Sequence, residues 1–377
     1  MSTDTELRDE AVAELKATTI SYPTWLDRVE NGWRGKPYDP AKTAWGRAFA
    51  KLDAIGEAAD GKLRWAPPQL TSPATRDLVD GARSIPKGSG GDLRIVCREV
   101  LRGSIGQIEA YNDVVAIAGE IRGGSSNSSG HIVPRENVGG VFHWEGWRIV
   151  LDVPGDAFSA RWRTRIVQIQ ACYIEVTDNG TSFHSDGFQT QEAILDELRF
   201  DLCTIKTDYQ GIFLSNEVQN QGPARSKVTK TTLSRTNFRP GKTGYPATWF
   251  FKAFPPRPNA DPIGPVEMYD VWAPEKDILA HVYPNGHTWT AWDGSATRYG
   301  CFLETKTHAN GQTYPFVRFS TAADKVPAGK PLAGQTCGDC EIRGDGGIWL
   351  HPEAGGPPGG DFAPADAGLA YVGPGYA

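Results

Sequence analysis

The stretch "FHSDGFQTQ", residues 183–191, sets His184 and Asp186 two residues apart beside Gly187. A histidine and a carboxylate at one corner are the residue types of general acid–base chemistry, which needs charged groups converging within the width of a sugar. A little further on, "DYQGIFLSN" repeats the polar corner and the glycine, with Asp208 ahead of Tyr209, Gln210 and Gly211. His184, Asp186 and Asp208 are therefore the candidate catalytic residues. The same types have a plainer use: an Asp before Gly at a corner accepts backbone N–H bonds of the turn, and a neighbouring histidine is simply solvated.

The aromatic residues offer a different chemistry. The chain has 12 Trp against 2 Met, and flat indoles can stack on sugar rings as well as fill a core. In "HWEGW", Trp144 and Trp147 stand three apart on a turn-rich segment and could present two indoles together; Trp289 and Trp292 in "HTWTAWDG" lie beside a turn. These four are the candidate glycan-binding residues, while "TWFFKAF" reads as core. Cys337 and Cys340 in "TCGDC" have the spacing of half a zinc knuckle, but no second CxxC or HxxxH accompanies them, so no metal is expected. No cofactor is expected either, since "GSGGDLR" and "RGGSSNSSG" lack the ending and context of a phosphate loop.

Bulk composition narrows the partners. Lys+Arg 39 against Asp+Glu 45 gives a formal charge of -6, and no Lys/Arg cluster of five or more is present, which argues against nucleic acid. No apolar run reaches the roughly 18 residues of a membrane span, and "MSTDTELRDEAVAELK" lacks the basic start and apolar core of a signal peptide. The expectation is a protein made in a reducing cytoplasm, without membrane insertion.

The elements that must position these residues are mainly β. Residues 1–62 read as a small helical region, with Leu7, Ala11 and Leu15 on one stripe and Trp45, Phe49, Leu52 and Ile55 on another. Composition over 63–91 shifts to Pro, Ser and Gly and reads as an extended linker. From 92 to 280, short alternating runs bounded by turn residues read as strands. Placing Cys172 over Cys203 also puts Val167 on Leu198, Ile169 on Phe200 and Ile174 on Ile205, an offset of 31. Such ladders are the signature of a solenoid, and make both cysteines inward ladder members. Gly187 and Gly211 repeat at 24, the difference being a longer corner, "TDNGTSF". A further step of 30 sets Val228 on Leu198 and Leu233 on Cys203, but Lys230 and Arg235 then fall where Phe200 and Ile205 repeat. "VEMYDVWAPE" reads as a later coil, and 281–377 as a C-terminal β-rich cap or module with antiparallel strands.

"VQIQACYIEVTDNGTSFHSDGFQTQ" followed by "LRFDLCTIKTDYQGIFLSNE" resembles coils of the pectate-lyase-like right-handed parallel β-helix superfamily. The two chain ends, "AVAELKATTISYPTWLDRVENGW" with "TAWGRAFAKL" and "GGDFAPADAGLAYVGPGYA", look like those of minor tail proteins of actinobacterial phages. That resemblance implies a virion protein of the tail tip or fibre, often a homotrimer, contacting other phage tail proteins and a host cell-surface glycan. It also admits a tail-borne polysaccharide depolymerase, lyase or glycoside hydrolase. The hydrolase pattern would supply a carboxylate pair just before the second glycine, where Tyr209 and Gln210 stand here. A lyase arrangement would use His184 as base with Lys206 or Lys230 as the stabilising cation.

Overall fold

The computed structural model describes residues 62–124, 130–136, 139–177, 185–214, 227–241, 249–253, 266–274, 282–283, 301–308, 311–319, 342–344, 347–351 and 360–376. All but the last residue of the helical region expected over 1–62 lies outside this set, as do His184, Trp289, Trp292, Cys337 and Cys340.

Strands pair in parallel with counterparts one coil away, and the stacked coils form a right-handed parallel β-helix. One ladder runs Leu93, Val114, Phe142, Val167, Leu198, Thr231, Val266. Two residues further along each strand runs a second: Ile95, Ala116, Trp144, Ile169, Phe200, Leu233, Met268. Every member of both is buried. Alternation along a strand turns every second side chain inward, and parallel stacking about 4.8 Å apart sets like on like, so one core runs along the axis. Another wall of that core holds Ile132, Phe158, Phe188 and Ile212 in register.

The bend between two walls is made by single residues in the left-handed region. Ala118, Gly146, Ala171, Leu202, Arg235 and Asp270 occupy equivalent register positions, with φ from 37° to 69°. For L residues this conformation costs about 1 kcal/mol each, and it recurs because each coil must turn at the same height. The residues after the bend face inward again: Cys172 and Cys203 stack there, both buried, as expected of ladder members. A second left-handed row, Ala110, Glu136 and Trp162, has φ of 60°, 55° and 58°.

The offsets of 31 and 24 are those of the structure, Val167 pairing with Leu198 and Phe188 with Ile212. The next register differs from the sequence reading. Thr231 pairs with Leu198, Leu233 with Phe200 and Thr236 with Cys203, while Val228 pairs with Leu195. The offset is therefore 33, not 30. Arg235 stands at the left-handed corner above Leu202, so its charge never has to enter the core.

The segment 63–91 is the first coil rather than a linker. Ala74–Leu78 pairs in parallel with Leu93–Cys97, and Leu63, Leu70, Leu78 and Ile85 are buried. "VEMYDVWAPE" does form a coil, with Val266, Met268 and Val271 inward. The solenoid also continues past 280: Ile342–Gly344 and Gly347–His351 pair in parallel with Val266–Pro274. An antiparallel hairpin, Cys301–Thr307 with Thr313–Phe319, attaches to the last strand and packs Tyr314 and Phe316 on Trp272 and Trp349.

Residues 360–376 run back along the outside of the coils. The Phe362 N–H donates to Asn237 Oδ1, that of Ala363 to Thr204 Oγ1 and that of Gly368 to the Gly146 carbonyl. The segment ends at a parallel bridge between Tyr376 and Leu63, so the two ends of the solenoid chain meet.

Candidate functional site

The corner that carries Asp186 is a stack of coil turns. Asp156, Asp186 and Gln210 occupy equivalent positions two residues before the paired Phe158, Phe188 and Ile212. The Asp186 N–H donates to Asp156 Oδ1 at 3.4 Å, and the Gln210 N–H donates to Asp186 Oδ1 at 3.2 Å. Each carboxylate thus receives an N–H of the next coil, the turn role open to an Asp before Gly. Gly187 is required by closeness: a Cβ there would lie 2.6 Å from the Gly211 carbonyl oxygen.

Asp186 is fully buried and Asp208 nearly so. Asp208 packs against the next coil, where a Cβ on Gly241 would fall 2.1 Å from its Oδ1. Neither carboxylate faces solvent, where a polysaccharide would have to lie. Gln210, standing directly over Asp186, occupies the place of a second acid, as the sequence indicates. Burial also governs the neighbouring coil, where loss of solvation pushes the Asp156 carboxyl up to about 7. The cations of a lyase arrangement are occupied: Lys206 pairs with Glu175 at 2.8 Å, and Lys230 with Glu267 at 3.0 Å.

Trp144 and Trp147 are not a sugar platform. Both are fully buried, their rings 4.5 Å apart, with Trp144 stacked on Phe142. The left-handed bend at Gly146 is the reason. Strand alternation sends 142 and 144 inward, and the bend resets the phase so that 147 and 149 point inward too.

The polar residues of "HWEGW" are the ones on the outer face. His143 Nε2 lies 2.9 Å from Glu145 Oε2, and Gln168 Nε2 lies 2.7 Å from His143 Nδ1. Arg199 donates to Gln168 Oε1 at 2.9 Å, which turns the Gln168 amide NH2 toward the ring. His143 Nδ1 is therefore the acceptor, and Nε2–H donates to Glu145. Tyr371 and Tyr376 donate their hydroxyls to Glu145 Oε1 and Oε2 at 3.0 and 2.8 Å. All of this is buried beneath the C-terminal segment and residues 63–70, so the cluster fastens the chain ends instead of meeting a substrate.

Sequence reasoning passes over Trp162, in "ARWRTR". It is 40% exposed, the one strongly exposed aromatic among the residues whose side chains are described. The Arg135 guanidinium stacks on its ring, 3.7 Å from the centroid. Its sequence signal is a tryptophan flanked by Arg161 and Arg163 with no large apolar residue two positions either side.

No group of three or more metal-ligating side chains is present among the described residues. Comparison with protein-family models, curated proteins and solved structures returns no match for this chain.

Proposed function

We propose that this chain is a minor tail protein of an actinobacterial phage, a rigid β-helical element that adsorbs to a host-surface glycan without cleaving it. The likeness of the two chain ends to such proteins supports the virion part of the reading. The parallel β-helix supports the scaffold part, because stacked coils hold a long outer surface at fixed geometry. The choice of binding over cleavage rests on one observation, the burial of Asp186 with its Oδ1 accepting the Gln210 N–H. An acid so placed does not reach a glycosidic oxygen, and the carboxylate stacked one coil away, Asp156, is itself buried. Homotrimers and contacts to other tail proteins belong to the same proposal.

The test incubates purified protein with intact actinobacterial cells and with their extracted envelope polysaccharide. Co-sedimentation with cells, with no new reducing ends or unsaturated sugars, is the expected result. Sugar release that disappears in Asp186→Asn would overturn it in favour of a depolymerase. Failure to sediment with any cell would remove the adsorption role.

A further inference from the structure

We propose that Trp162, backed by Arg135 and flanked by Arg161 and Arg163, is a subsite for an acidic saccharide, a hexuronate ring within a glycan. The inference rests on the adsorption reading but names its contact point and the charge of its ligand.

Three independent features converge on Trp162. Its side chain is 40% exposed, more than any other large aromatic whose side chain is described. Its backbone sits at φ 58°, in line with Ala110 and Glu136. That conformation is unfavourable for a bulky residue, and a glycine would adopt it freely. The coil turn imposes this conformation, as it does at Ala110 and Glu136, and the residue that meets it here is a large aromatic that the conformation disfavours. The third feature is the guanidinium of Arg135, held 3.7 Å from the ring centroid and anchored by a 2.8 Å bond from Nη1 to Gln107 Oε1. It fixes the plane of the indole before a ligand arrives, which lowers the ordering cost of binding.

The charge around the ring selects the ligand class. Arg163, the next residue in the chain, is exposed, and Arg161 occupies the register position above Arg135. The nearby carboxylates Glu109 and Glu136 are engaged by Lys87, at 2.7 and 3.5 Å. A sugar ring lies with its C–H face on the indole, and a carboxylate on that ring meets the planar donor fork of an arginine, a pairing that lysine cannot copy. A neutral sugar would have the stacking surface without the ion pair.

The test compares a β-1,4-linked glucuronate hexamer with the glucose hexamer of the same linkage by isothermal titration, on the full chain, alongside sedimentation with cells. Wild-type protein is expected to bind the glucuronate hexamer, more weakly at high salt, and the glucose hexamer at least about tenfold less well. Trp162→Gly suits the backbone and should leave thermal unfolding within a few degrees of wild type while lowering glucuronate affinity about tenfold or more. Arg163→Gln should reduce the preference for glucuronate over glucose. Equal affinity for the two hexamers overturns the acidic ligand, and unchanged affinity in Trp162→Gly overturns the site. Protein that sediments with cells yet ignores both hexamers overturns this subsite and leaves adsorption standing. Protein that binds glucuronate through Trp162 but not cells keeps the subsite and overturns adsorption.

Discussion

The hydroxyl of Tyr376 donates to Glu145 Oε2 at 2.8 Å, joining residues 231 apart in the chain. Tyr371 donates to the other oxygen, and His143 completes the set around one buried carboxylate. A buried charge is tolerable only when such donors replace water. The last described residues are thus a clasp on the solenoid.

Removing donors from that clasp should be costly. Tyr376→Phe and Tyr371→Phe each take one hydrogen bond from a buried acid, a loss of about 1–3 kcal/mol. Because both serve the same carboxylate, the double variant should lose more than the two single losses combined. Chemical denaturation of the four proteins measures this. Additive losses would show that the two hydroxyls act independently.

Gly146 is the point where the clasp touches the coil. It combines φ 69° with a position where a Cβ would lie 1.9 Å from the Tyr371 ring. Gly146→Ala should therefore displace the C-terminal segment first, before the coils themselves fail. Limited proteolysis should then cut within 360–376 in the variant at concentrations that spare the wild type. Equal resistance would mean that the ring shifts without releasing the segment.

Two buried groups, Asp156 and His131, pull stability in opposite directions over nearly the same pH window, so each shows only when the other is held constant. Burial pushes Asp156 up to about 7 from 3.8, so between those values the folded state holds a proton that the unfolded chain releases. Its contribution is fullest below about pH 4 and is lost as pH rises through 7. Burial pulls His131 down to about 4, so the unfolded chain takes up the proton first, and that contribution is lost as pH falls from about 6.5 to 4. Asp156→Asn keeps an oxygen for the Asp186 N–H and removes the charge. It should raise stability at pH 8 relative to wild type, by on the order of a few kcal/mol, and change little at pH 4. Parallel stability–pH curves for the two proteins would contradict the assignment to Asp156.

The legible parts of this fold are those in which one coil copies another. Cys172 over Cys203 marks a true register because both point into the same core, and Gly187 over Gly211 does so because the coils touch there. Legibility fails where a left-handed residue interrupts alternation. Arg235 aligns in sequence with an inward position although it is the corner residue, and Gly146 inverts the reading of Trp144 and Trp147. The first coil escapes sequence reasoning because Leu63, Leu70, Leu78 and Ile85 stand seven or eight residues apart among turn formers, too sparse to show the alternation of a strand. The Glu145 cluster is assembled by tertiary contact across the whole chain, which local spacing does not encode. At the candidate site, the mismatch of Gln210 with a two-carboxylate pattern is legible, whereas the burial of Asp186 depends on the stack around it.

Trp144 and Trp162 separate the two uses of tryptophan in this protein. Trp144 lies fully buried against Phe142, Trp147 and Phe158, so Trp144→Ala should leave a cavity and cost about 3–5 kcal/mol. Because its ring never meets solvent, the fraction of variant that remains folded should bind cells or glucuronate as wild type does. Trp162→Gly should show the reverse, near-normal stability with weakened binding. Binding at a temperature well below the variant's unfolding midpoint, normalised to folded protein, distinguishes the cases. A Trp144→Ala protein that is folded but no longer binds would return the buried indole to the binding surface and contradict the inward phase set by Gly146.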